Sequence, residues 1–185
     1  ITQGFKNEGD LIALLGTTND DLSVSEYAQT ILGYTTNELI EIGKVPKIDL
    51  NLEKKVQDTC LNLIDECLIN SAHDASDGGL AVAVAEQCFA SLNNKSNGAE
   101  IELSDENLDA TTQLFSESPS RILVTFAEED LEKVKEKIGD CPCSIIGKVT
   151  GEVLSIKVNG EEKINAKVSE LQQVWKHSLE KQLEI

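Results

Sequence analysis

Methionine is absent from all 185 residues, and the chain opens on Ile1. A natural reading frame begins with methionine, so the expectation is a piece of a longer protein. Basic residues are scarce, 16 against 33 acidic ones, for a net charge of -17. That scarcity argues against a nucleic-acid surface, which must neutralise phosphates, and against docking on an anionic membrane. Long apolar runs are missing too. None approaches the ~20 residues that span a bilayer, and no basic-then-apolar leader opens the chain. Histidine occurs only at His73 and His177, and no CxxC pair exists. A metal centre needs convergent ligands, so none is foreseen. The five cysteines are an odd number, which fits reduced thiols in a cytosolic protein. Cys60, Cys67 and Cys88 fall in apolar helical patterns and are expected to be buried.

What is present fits one soluble globular domain: 40% hydrophobic and 26% charged residues, with no repeat, low-complexity tract or clear linker. Residues 10–16 (DLIALLG) form a short apolar run closed by glycine, a buried strand. A polar turn follows over 17–22, then a helix capped by Ser23 or Ser25 and stopped by Gly33. Residues 34–48 are expected as a connection. Asp49 caps a long helix to about Asn70, with Leu52, Val56, Cys60, Leu63, Ile64, Cys67 and Leu68 on its apolar face. A helix from Gly78 or Gly79 to about Phe89, a loop over 93–98, a strand over 99–103 and a helix over 105–114 come next. Residues 122–126 (ILVTF) are a strand and 128–138 an amphipathic helix. Residues 143–149 and 153–158 are expected as a strand pair turning at 150–152, and a last helix runs from Val168. Strands and helices intermix along the whole length, which argues for one sheet with helices packed on it.

The chemistry concentrates at residues 71–80, SAHDASDGGL. Free N–H groups at a helix start favour an anion, and glycines let a phosphate come close. Gly78 and Gly79 therefore mark a cradle, with Ser76 or Asp77 as N-cap and His73 and Asp74 as donor and acceptor. The competing explanation is a well-capped helix whose His73 bonds within its own loop. This string is not a dinucleotide fingerprint, which needs three spaced glycines. A second polar cluster, Phe115-Ser116-Glu117-Ser118-Pro119-Ser120-Arg121, precedes a strand, and the Arg121 guanidinium can hold a phosphate or carboxylate in two-pronged fashion. A third, Ser23-Val24-Ser25-Glu26-Tyr27, sits at a strand-to-helix junction, the ligand-facing edge of an open α/β sheet, where simple helix capping is the favoured local explanation. No nucleophile–base pair is evident.

Taken in order, EGDLIALLG (8–16), SEY (25–27), SAHDASDGGLAVAVAE (71–86), FSESPSRILV (115–124) and IGKVTG (146–151) resemble the C-terminal part of phosphoribosylformylglycinamidine synthase of the small type. The wider group is the aminoimidazole ribonucleotide synthetase superfamily. The resemblance covers nearly the whole chain. It implies an α/β (α+β) fold, a three-layer α-β-α domain with a mixed sheet and partial ferredoxin-like topology. It implies residues 1–185 as a single C-terminal domain, with 1–9 the tail of a preceding ATP-binding domain. It also implies a cytoplasmic ligase of purine biosynthesis that uses ATP, magnesium and glutamine-derived ammonia. Partners would be the preceding ATP-binding domain, a glutaminase and small bridging subunits.

The family's catalytic histidine and most of its nucleotide and magnesium residues precede this domain, and its GNVSxYN-like string is absent here. No catalytic or metal residue is therefore carried over. His73, Asp74, Ser76, Asp77, Gly78 and Gly79 match the family's pattern and are assigned to a wall facing substrate or nucleotide phosphate. Ser116, Glu117, Ser118 and Arg121 are assigned to the same cleft. The synthetase carries two such domains in tandem, and this one resembles the second. Rival expectations are a non-catalytic packing module that forms a homodimer through an exposed apolar face, or a related thiamine phosphate or selenophosphate enzyme. The Ser116-Glu117-Ser118 string favours the purine enzyme.

Overall fold

The computed structural model describes residues 1–89 and 96–183. Among these, seven strands form one mixed sheet: β1 (Leu11–Leu15), β2 (Ser71–Asp74), β3 (Gly98–Leu103), β4 (Ile122–Phe126), β5 (Cys143–Thr150), β6 (Val153–Val158) and β7 (Glu161–Lys167). Their spatial order is β2-β4-β1-β5-β3-β6-β7. The helices are α1 (Glu26–Thr30), α2 (Thr36–Ile42), α3 (Leu50–Asp65), α4 (Gly79–Phe89), α5 (Ala110–Phe115), α6 (Leu131–Ile138) and α7 (Val168–Leu183).

The partial ferredoxin-like topology is present. β1 pairs antiparallel with both β4 and β5, and β4 pairs antiparallel with β2. β1 and β2 are thus parallel with β4 between them, and β4 and β5 are parallel with β1 between them. The connections β1-α3-β2 and β4-α6-β5 are two interleaved strand–helix–strand units. β3 then pairs with β5 on one side and, in parallel, with β6 on the other, and β7 closes that edge.

Side-chain alternation along β1 builds the two cores. Ala13 and Leu15 join Val124 and Phe126 against Val56, Cys60 and Leu63 of α3 and Val134 and Ile138 of α6. Ile12 and Leu14 join Leu123, Ile101 and Ile156 against Leu80, Ala81 and Val84 of α4, with Leu114 and Val168. Each large side chain so buried contributes about 1.5–3 kcal/mol. The small residues of α4 let it lie close on the sheet, and it is buried nearly all round. Three layers thus meet around β1 and β4. Farther out, β3 alternates buried Ala99, Ile101 and Leu103 with exposed Glu100 and Glu102.

Several local expectations are corrected. Residues 34–48 contain α2, started by a capping box between Thr35 and Glu38 and burying no side chain. α3 ends at Asp65, short of Asn70, and Cys67 is exposed with φ +56°. β5 and β6 do not pair, because β3 runs between them. β7 carries five polar residues in seven and shows no apolar alternation to reveal it. The helix expected from 105 begins only at Ala110, capped by Asp109. The loop expected over 93–98 falls partly outside the described residues. Near the start of the chain, Phe5 is buried in the α4-side core, and its N–H donates to the Gln87 carbonyl.

Candidate functional site

The parallel strands β1 and β2 end, and the antiparallel β4 begins, at one end of the sheet. That geometry collects the three polar strings. Gly16 closes β1 with φ +90°, and a side chain there would run into the Ser120 carbonyl. The loop after β1 is pinned by the serines of the second string. Ser116 Oγ donates to the Asn19 carbonyl at 2.7 Å and accepts from Asp21 N–H at 3.1 Å. Ser118 Oγ accepts from Asn19 N–H at 2.9 Å. Both serines are buried.

Arg121 sits beneath them, 2% exposed. It donates from Nη2 to the Ser116 carbonyl at 2.6 Å, from Nε to the Ser118 carbonyl at 3.0 Å and from Nη1 to Thr18 Oγ1 at 3.1 Å. Burial pulls its pKa down to about 10, against the upward pull of Asp21 and Glu117, so it remains charged at neutral pH. Its hydrogen bonds run inward to backbone and loop, which leaves it a brace rather than an outstretched clamp.

Residues 71–74 are a strand, β2, where a loop had been expected. Alternation along β2 sends the two side chains toward opposite faces, although His73 Nδ1 still lies 3.9 Å from Asp74 Oδ1. His73 turns to the α4 side, where Nε2 lies 2.9 Å from Glu86 Oε2. Asp74 turns to the α3 side and is exposed. The chain then passes through exposed Ser76 and Asp77 to Gly78 and Gly79, both at positive φ. The Gly79 N–H donates to the Ser76 carbonyl at 2.9 Å, closing the turn into α4. A Cβ on Gly79 would lie 2.7 Å from the Ser116 carbonyl oxygen and from the Phe115 carbonyl carbon. Gly79 thus allows the two strings to touch.

A cleft of about 420 Å³ opens between them. Asp74, Ser76, Asp77, Glu117, Ser118 and Arg121 line it, with Glu53 and Gln57 from α3. The structure brings six of the ten expected site residues to this cleft. Gly78 and Gly79 shape its wall, Ser116 supports it from inside, and His73 faces the other side of the sheet. Glu53 and Glu86 were missed. Glu86 had a signal: it is the lone charge on α4, and such a group needs a partner. Glu53 had none, because a first-turn glutamate on an exposed helix looks like a capping charge.

The cleft is acidic. Asp74, Asp77, Glu53 and Glu117 line it, and the one cation among its described lining residues is the inward-bonded Arg121. The N–H of Gly78, next to the start of α4, already donates to Glu117 Oε1 at 2.8 Å. Among the described residues no group of three or more His, Cys, Asp or Glu side chains is placed to hold a metal ion. These side chains do not by themselves fit a nucleotide's phosphates or a closed metal site.

A mixed sheet with interleaved strand–helix–strand units and a glycine-bounded polar cleft at one strand end defines a class of domain. The family model described as "AIR synthase related protein, C-terminal domain" matches residues 7–159, and the chain belongs to that family. Within it, the subunit PurL of phosphoribosylformylglycinamidine synthase from Alkaliphilus metalliredigens is 40% identical over 181 residues, covering 97% of this chain and 23% of that protein. The chain thus spans about a quarter of the length of the curated relatives it matches. Among solved structures, T. maritima PurL complexed with FGAR matches with a TM-score of 0.76 at 19% identity, over 92% of this chain and 29% of that one. T. maritima PurL complexed with ATP matches at 0.71 and 18%, over 92% and 27%. These structures share the fold. No helix among the described residues is long and apolar enough to cross a membrane.

Proposed function

We propose that residues 1–185 are the C-terminal domain of a cytoplasmic, ATP-, magnesium- and glutamine-dependent phosphoribosylformylglycinamidine synthase. That ligase converts formylglycinamide ribonucleotide to the amidine in purine biosynthesis. The observation that carries this reading is the convergence of the 71–79 and 115–121 strings on one cleft, in a chain 40% identical to a PurL subunit over 97% of its length. ATP supplies the phosphoryl group that activates the amide oxygen.

This domain's share is positional. Asp74, Ser76, Asp77, Gly78 and Gly79, with Ser116, Glu117, Ser118 and Arg121, form a wall that excludes water and fixes distances. His73 supports it from the far side through Glu86. An acidic wall cannot hold phosphate by itself, so the cation it needs comes from magnesium or from the preceding ATP-binding domain. That domain is therefore the first partner. A glutaminase and small bridging subunits are the others, in keeping with relatives that are themselves called subunits. The sequence strings and these relatives favour this over the thiamine phosphate or selenophosphate alternatives.

Calorimetric titration separates a wall from a preformed site. The 185-residue chain should give no binding heat with Mg-ADP or formylglycinamide ribonucleotide. The full-length synthetase should bind both, and Asp77→Ala should weaken one of them. Tight binding of Mg-ADP by the chain alone, abolished by Asp77→Ala, would overturn the positional role.

A further inference from the structure

We infer that Glu117 is a positioning residue whose carboxylate is the built-in anion of this cleft, tying the starts of two helices to one point. Its Oε1 accepts from Gly78 N–H at 2.8 Å and from Glu26 N–H at 2.8 Å. Gly78 leads into α4 and Glu26 opens α1, segments that lie some fifty residues apart in the chain. Both donors carry the partial positive charge of a helix start, and a carboxylate accepting two N–H groups is a strong partner. The same string fastens α1 a second time, because Phe115 stacks on Tyr27 with ring centroids 4.9 Å apart.

The seat a ligand phosphate would take at α4 is therefore filled from within. Glu117 holds the turn over 76–79 against the loop after β1, so the cleft wall keeps its shape before anything binds. The significance for catalysis rests on the synthetase reading above, whereas the contact itself does not.

The test starts with hydrogen exchange on the full 185-residue chain. E117A removes the shared acceptor, so exchange at Gly78 and Glu26 should accelerate together by about tenfold or more. Tm should fall by about 3–10 °C. Sodium formate, compared with chloride at equal ionic strength, should restore part of that Tm in E117A and leave the unsubstituted protein unmoved. E117Q keeps an acceptor oxygen and should retain most of the protection at both amides. In the full-length synthetase, E117A should raise the KM for ATP or formylglycinamide ribonucleotide, and E117Q should raise it less.

Unchanged exchange at both amides in E117A would overturn the tie. Intact KM values in E117A, alongside lost protection, would reduce Glu117 to a fold contact and overturn its positioning role. If the full-length protein shows no synthetase activity at all, the functional reading fails, and the exchange and formate results still decide whether Glu117 makes the tie.

Discussion

Gly79 and Gly33 make a controlled pair, because both adopt left-handed backbone, at φ +69° and +78°. Alanine at Gly33 meets nothing within 4 Å and should cost about 1–3 kcal/mol, the conformational part alone. Alanine at Gly79 meets the backbone of Phe115 and Ser116 at 2.7 Å. It should cost clearly more than the ~1–3 kcal/mol of an unfavourable backbone conformation, as read by denaturant unfolding. Equal losses at the two sites would mean that close approach is unimportant. Arg121→Lys should destabilise by about 3 kcal/mol or more, since one ammonium cannot reach the Ser116 and Ser118 carbonyls and Thr18 together. The cysteines give a chemical check. Cys67 is exposed, whereas burial pushes Cys88 up to about 12, and burial with the nearby Cys141 pushes Cys143 up to about 11. Iodoacetamide at neutral pH should label Cys67 first in the native protein. Rapid labelling of Cys60 or Cys88 would contradict the packing.

At the scale of elements, α2 is an outlier: it has a full capping box yet buries nothing. Thr35→Ala should therefore speed hydrogen exchange over 36–42 and leave the global unfolding midpoint unchanged, because a frayed surface helix opens locally. A shifted midpoint would show that α2 belongs to the cooperative core. Most elements were legible in the sequence where apolar runs were dense, as in β1, α4 and β4, or apolar periodicity was strong, as in α3 and α6. Legibility failed where tertiary pairing decides. β3 inserts between β5 and β6, which no local pattern announces, and polar β7 is a strand because β6 offers it an edge. The site was legible as strings but not as geometry. The residues at 71–79 and 115–121 were singled out, yet strand alternation sends His73 to Glu86 on the α4 side while Asp74 lines the cleft, and the Gly78 N–H donates to Glu117.

The whole molecule combines a net charge of -17 with a locally apolar arm. Ile31, Leu32, Ile40, Ile42, Val45, Ile48 and Leu50 are each more than half exposed. Exposed apolar side chains in such number favour association, and like charge on every copy opposes it. The isolated chain should therefore self-associate more as salt rises, since screening weakens the repulsion, and Ile40→Glu with Val45→Glu should suppress this in light scattering. Loss of association with added salt would mean that ionic contacts dominate instead. The central claim is that this domain completes a phosphoribosylformylglycinamidine synthase. The most direct test replaces the matching segment of the A. metalliredigens PurL subunit with these 185 residues and measures amidine formation from formylglycinamide ribonucleotide, ATP and ammonia. The account predicts activity well above that of the subunit lacking the segment, lost again on Gly79→Val. A chimera that folds and binds ATP yet forms no amidine would contradict it.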